Sequence, residues 1–267
     1  NMNRINKLFE QKKKNILSIY FTAGFPHLDD TKEILHALQK HGANLIEIGI
    51  PYSDPLADGP VIQQSSMRAL QNGISIKKIF EHLDVINGNS LLRNENIPFI
   101  LMGYLNPVLQ YGIEKFCADA KVSGVDGIIL PDLPMYEYET EYKNIFEQND
   151  LRYIFLITPE TSDERIRKID EISNSFIYAV SSSSTTGADK NIAAQEIYFQ
   201  RLKNLHLKNE ILIGFGIKDH DTFDMACRHA AGAIIGTAYI RVIENSNNIE
   251  ADTKKFLNSI LHTATPG

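Results

Sequence analysis

The sequence predicts an α/β fold, a single-domain (β/α)8 TIM barrel carrying an extra N-terminal helix. Three observations predict it. Eight short, nearly continuous apolar runs recur along the chain, the pattern of strands buried on both faces of a parallel sheet. Amphipathic stretches of helical period fill the intervals. No Pro/Ser-rich linker divides the 267 residues, a length that one barrel of roughly 250 residues accommodates. A doubly wound sheet is the alternative, disfavoured by the regular eightfold spacing and the lack of a Gly-rich first turn.

In chain order, an amphipathic N-terminal segment ending in Lys12–Lys14 reads as a helix with a solvated end. Asn1, ahead of Met2, reads as a cloning remnant. The first strand is ILSIYFT (16–22). DDTKEILHALQKHG (29–42) then reads as a helix running from an Asp cap region to Gly42 as its stop. LIEIGI (45–50) is the second strand, followed by the loop PYSDPLADGP and a helix from near Val61. ISIKKIFEHLDVIN (74–87) is helical, and the polar NGNSLLRNEN (87–96) reads as a surface insertion. PFILM (98–102), GIILP (127–131), YIFLI (153–157), FIYAV (176–180), ILIGF (211–215) and AIIG (233–236) complete the strands. Helices GIEKFCADAKVSG, ending at Gly124, and DERIRKIDEIS lie among them.

The net charge of −6 disfavours a nucleic-acid surface. Cys117 and Cys227 are far apart, without metal-ligand spacing, and read as buried free thiols of a protein in a reducing cytosol. No apolar run reaches the ~18 residues of a membrane span.

In this fold, chemistry belongs at the C-terminal ends of the strands. Glu47 interrupts an apolar strand, and the eight runs contain no Lys, Arg or His to pair with it. A carboxyl group in apolar surroundings has its acid form favoured and can exchange protons near neutrality. Asp54 and Asp58 would hang over the same mouth. Asp54, before Pro55, suits turn formation, and Asp58 suits either a helix cap or acid/base work beside Glu47. Metal binding is not expected, because no His or Cys joins these carboxylates.

The seventh and eighth strands end in GFGIKD (214–219) and IGTAYI (235–240). Gly216, Gly236 and Thr237 are placed to offer backbone N–H groups, a hydroxyl and a helix N-terminus to a phosphate. SSSSTTGADK (181–190) reads as a lid that orders over substrate, with Gly187 facing the same anion. Tyr20, Leu101, Tyr104, Tyr178 and Phe215 are candidates for an apolar slot between the carboxylates and the phosphate end.

These residues resemble one family, the tryptophan synthase α subunits. LIEIGIPYSDPLADGPVIQ is similar to that family's signature, and LMGYLNPVLQYG, ILPDLP, GFGI and IGTA follow in matching order. The resemblance covers roughly Arg4 to Leu261. It implies retro-aldol cleavage of indole-3-glycerol phosphate to indole and glyceraldehyde 3-phosphate. Glu47 would be the acid/base and Asp58 the carboxylate facing the indole N–H. Gly187, Gly216, Gly236 and Thr237 would bind phosphate, and Tyr178 would lie near the catalytic Glu. The resemblance also implies no cofactor in this chain, with pyridoxal phosphate only in a tryptophan synthase β subunit. That partner would complete an α2β2 complex and receive indole, and the loop around Asp54 and Pro55 would report to it. Where many members carry SRxGxTG, this chain has SSSSTTG, with Ser182 in place of Arg and Thr186 kept, so lid closure and coupling would differ. Another phosphate-binding barrel enzyme and a non-enzymatic, partner-activating barrel are the alternatives.

Overall fold

Residues 2–89, 93–180, 188–214 and 216–262 are described in the computed structural model. The apolar runs form strands β1 (Ile16–Thr22), β2 (Leu45–Gly49), β3 (Phe99–Met102), β4 (Gly127–Ile129), β5 (Arg152–Tyr153), β6 (Leu156–Ile157), β7 (Ile177–Val180), β8 (Ile211–Gly214) and β9 (Gly232–Ile235). Every ladder is parallel, in the order β5-β4-β3-β2-β1-β9-β8-β7-β6. The two ends of that order, β5 and β6, are neighbours in the chain. Ile154 N–H donates to the Ile128 carbonyl at 3.0 Å, and Tyr178 N–H donates to the Phe155 carbonyl at 2.9 Å. Residues 152–157 therefore serve as one stave, bonded to β4 on one side and β7 on the other. The ring closes as the expected barrel, with its fifth strand interrupted.

Side chains on a strand alternate between the two faces of the sheet. Ile16, Leu45, Ile100, Ile129, Ile154, Phe176, Leu212 and Ile234, contributed from around the ring, meet in one cluster. This is the barrel interior. Ile5 and Phe9 of the N-terminal helix (Arg4–Gln11) join it, with Phe9 stacked on Phe176 at 5.4 Å. Burying two such side chains contributes roughly 3–6 kcal/mol before entropy is counted. The helix is held in place by Asn3, whose side chain caps it at Ile5 N–H and donates to the Asp126 and Asp150 carbonyls. Arg4 adds an ion pair to the buried Asp126 at 2.8 Å. This plug closes the N-terminal end of the barrel, so polar chemistry is left to the other end.

The outward strand faces pack against the helices in a second, larger cluster that includes Ile46, Ile48, Leu101 and Ile128. Gly42 ends the helix Asp30–His41 as expected, at φ +116°. In the stretch 87–96, residues 90–92 lie outside the described residues, and Arg93 corrects the surface expectation. It is only 5% exposed, donates to Gln39 Oε1 and to the Asn94 and Ile97 carbonyls, and lies 3.9 Å over the Phe99 ring. A weakly hydrated guanidinium can be buried where a ring and carbonyls replace water. Among the described residues, no helix is long and apolar enough to cross a membrane.

Candidate active site

Strand register builds the site. Leu45 faces the barrel interior, so Glu47, two residues on, does too, one layer nearer the C-terminal mouth. Tyr20 of β1 and Ile100 of β3 are its ladder partners. Glu47 is fully buried. Its Oε1 accepts a 2.7 Å hydrogen bond from the equally buried Ser18 hydroxyl, while Oε2 has no partner among the described residues. Burial pushes the carboxyl up to about 7, against a smaller downward pull from the Ser18 hydrogen bond. Near neutral pH the group is therefore divided between acid and carboxylate, the condition for giving and taking a proton in one cycle.

Asp58 lies on the loop after β2, ahead of the helix Pro60–Gln71. It is not the cap of that helix. Gly59 occupies the cap position without a side-chain bond, and Asp58 Oδ2 accepts from the Tyr104 hydroxyl at 3.0 Å instead. The same Tyr104 oxygen accepts from Ala57 N–H at 3.0 Å. Gln63 Nε2 donates to the Asp58 carbonyl at 2.9 Å. Desolvation raises the Asp58 carboxyl to about 6, with Tyr104 pulling it down. Asp54 is exposed, whereas Pro55 is buried. The loop thus turns one carboxylate to solvent and fixes the other on a tyrosine.

Tyr20 and Tyr178 face the same space. Burial is the largest cause raising each phenol's pKa, and the charges of Glu47 and Asp58 raise both further. Both phenols remain protonated and bring no charge to the surroundings of Glu47 and Asp58. Their positions depend on two strand glycines that the sequence analysis did not single out. A Cβ on Gly49 would overlap the Tyr20 hydroxyl, and a Cβ on Gly214 would overlap the Tyr178 ring. An isolated glycine in a strand often marks such a close approach, and that signal was available in both runs. Gly214→Ala is expected to displace Tyr178, lower activity at least tenfold and destabilise the fold by roughly 1–3 kcal/mol. Paired denaturant and activity measurements check this, and a variant with wild-type values for both would contradict it.

One expected contact is corrected. Leu101 pairs with Ile48 and sits in the outer cluster, on the face opposite Glu47. Its neighbour Met102 is partly buried and packs against the interior cluster, on the face that Glu47 shares. Gly216 has φ +74° with open space around it, so it is glycine for backbone conformation rather than for room. Gly236 precedes the helix Thr237–Glu244, and Thr237 is exposed at its first position. Four expected residues, Ser182, Thr186, Gly187 and Phe215, lie outside the described residues.

Residues 6–264 match the family model described as tryptophan synthase alpha chain. A tryptophan synthase alpha chain of Phocaeicola vulgatus is 51% identical over 97% of this chain and 98% of its own length. That of Christiangramia forsetii is also 51% identical, over 95% and 98% respectively. The crystal structure of the Legionella pneumophila alpha chain superimposes with a TM-score of 0.86 at 34% identity, covering 97% of this chain and 96% of that one. The matches span the barrel and both carboxylate positions, and the chain belongs to the tryptophan synthase α chain family.

Proposed function

We propose that Glu47 and Asp58 carry the reaction of this lyase, the cleavage of indole-3-glycerol phosphate to indole and glyceraldehyde 3-phosphate. The observation that supports them most is the fully buried Glu47 carboxyl, poised at about 7 with one oxygen unengaged, in the layer beneath the barrel mouth.

Glu47 in its acid form gives its proton to C3 of the indole, and positive charge develops at the ring nitrogen. Asp58, held by Tyr104 and ionised near neutrality, stabilises that charge. Glu47, now a carboxylate, takes the proton from the glycerol hydroxyl next to the ring. The C3–carbon bond breaks, its electron pair returns to the indole, and the aldehyde forms. One proton leaves Glu47 and one returns, so the acid form is regenerated.

Tyr20, Met102, Tyr104, Tyr178 and Phe215 form the indole slot in this reading. Gly187, Gly216, Gly236 and Thr237 take the phosphate, favoured by the helix N-terminus at Thr237. Ser182 and Thr186 belong to the lid. No step requires a cofactor of this chain.

Exposed apolar side chains support a partner surface. Leu56, Leu109 and Tyr136 are 83%, 43% and 73% exposed. They lie on the connections after β2, β3 and β4, which are adjacent staves. Apolar groups gathered at one rim suit a protein interface. The partner is a tryptophan synthase β subunit carrying pyridoxal phosphate in an α2β2 assembly, within the cytoplasm. The loop bearing Asp54 and Pro55 connects this surface to Asp58.

Incubating the chain with indole-3-glycerol phosphate tests the reaction. Indole and glyceraldehyde 3-phosphate are expected in equal amounts, at a rate that rises when a β subunit is added. No indole under either condition would remove the lyase reading.

A further inference from the structure

The Ser18–Glu47 contact joins two strands inside the barrel. Ser18 faces Leu45 across the β1–β2 ladder, so its side chain reaches Glu47 diagonally on the same face. Both residues are fully buried; the one basic side chain in the described strands, Arg152, is engaged by Asn6 and Asp150 instead. A serine hydroxyl has one proton to give. Here it goes to Glu47 Oε1 at 2.7 Å.

We propose that Ser18 is a positioning residue for the cleavage: its hydroxyl holds Oε1 of Glu47, which fixes the carboxyl plane and assigns the transferred proton to Oε2. Because Oε1 accepts from Ser18, the acid form carries its proton on the other oxygen, the one without a partner among the described residues. That proton passes to indole C3, and Oε2 afterwards collects the proton of the glycerol hydroxyl. The Ser18 bond persists through both transfers and is strongest while Glu47 is charged. It favours the carboxylate between the two steps, making Glu47 a stronger acid than burial alone would leave it. Tyr20 on β1, Tyr104 after β3, Tyr178 on β7 and Asp58 on the loop after β2 are the other titratable groups around this space. The tyrosines stay neutral, leaving the hydrogen bond to Ser18 as the local contact favouring ionisation of Glu47.

The inference rests on Glu47 as the acid/base, so the test includes Glu47→Gln beside Ser18→Ala, Ser18→Val and Ser18→Thr. All are measured with the β subunit present, following indole release against pH. The Glu47 carboxyl is titrated in parallel by NMR on chain labelled with carboxyl-13C glutamate. Ser18→Ala and Ser18→Val are expected to lose about tenfold in kcat, with KM within about twofold. Their alkaline limb and the Glu47 titration should both move up by about one pH unit, the size of one hydrogen bond to a charged group. Ser18→Thr, isosteric with Val but keeping the hydroxyl, should restore the limb. An unshifted limb and titration in Ser18→Ala would overturn the proposal, as would Ser18→Thr behaving like Ser18→Val. Full activity in Glu47→Gln would instead remove the acid/base reading itself, whatever the serine variants do.

Discussion

Glu47→Gln is expected to lower kcat for indole release by a factor of roughly 10²–10⁴, the usual contribution of a positioned acid/base, while making the folded protein more stable above neutral pH. The second effect follows from the direction of the shift. The folded carboxyl ionises at about 7, above its ordinary value of 4.5. Between these values the folded state holds more protons than the unfolded chain, so stability falls as pH rises through that window and levels off above it. At about pH 8 the wild type bears the whole cost of an ionised carboxylate in the barrel, on the order of 3 kcal/mol. Gln has no such charge and still offers Oε1 to the Ser18 hydroxyl. Denaturant unfolding of both proteins should therefore diverge above neutrality and converge below about pH 4.5. A stability difference between the two proteins that stayed the same from below pH 4.5 to above neutrality would show that Glu47 is not desolvated.

Asp58→Asn is expected to cost roughly 10²–10³ in kcat, because it removes the charge that faces the developing indole cation while keeping the side chain's size. Its stability should change little, since Asp58 is half-buried at a loop and Tyr104 can still donate to the amide oxygen. KM should change less than kcat, because the charge is used more in the transition state than in the bound substrate. If Asp58→Asn raised KM at constant kcat, Asp58 would be a binding group, and another residue would have to meet the cation.

The residues differ in how far their places were legible in the sequence. Glu47 stands out because an acid within an apolar run has few structural explanations. The barrel itself was legible because eight runs of similar length recur with helical intervals, a pattern set by the chain rather than by distant contacts. Met102 against Leu101 was not. PFILM is apolar throughout, so nothing in the run fixes which alternate residues face inward, and a one-residue error turns every side chain over. Ser18 was hidden for a related reason. Its importance depends on the register between β1 and β2, which only the folded ladder sets. Arg93 defeats a polarity argument because its neighbours look like a surface segment, while Phe99 and the Gln39 amide lie elsewhere in the sequence. Asp58 was ambiguous until Tyr104, 46 residues away, appeared as its partner.

The most direct test of the central claim is the pH dependence of indole release at saturating indole-3-glycerol phosphate, for wild type beside Glu47→Gln, each with a β subunit. The wild-type profile should bend near the ionisation of a carboxyl at about 7. The variant should show no such bend and a rate at least about a hundredfold lower. A Glu47→Gln enzyme within about threefold of wild type, with the same bend, would contradict the account, because the proton would then be travelling through another group.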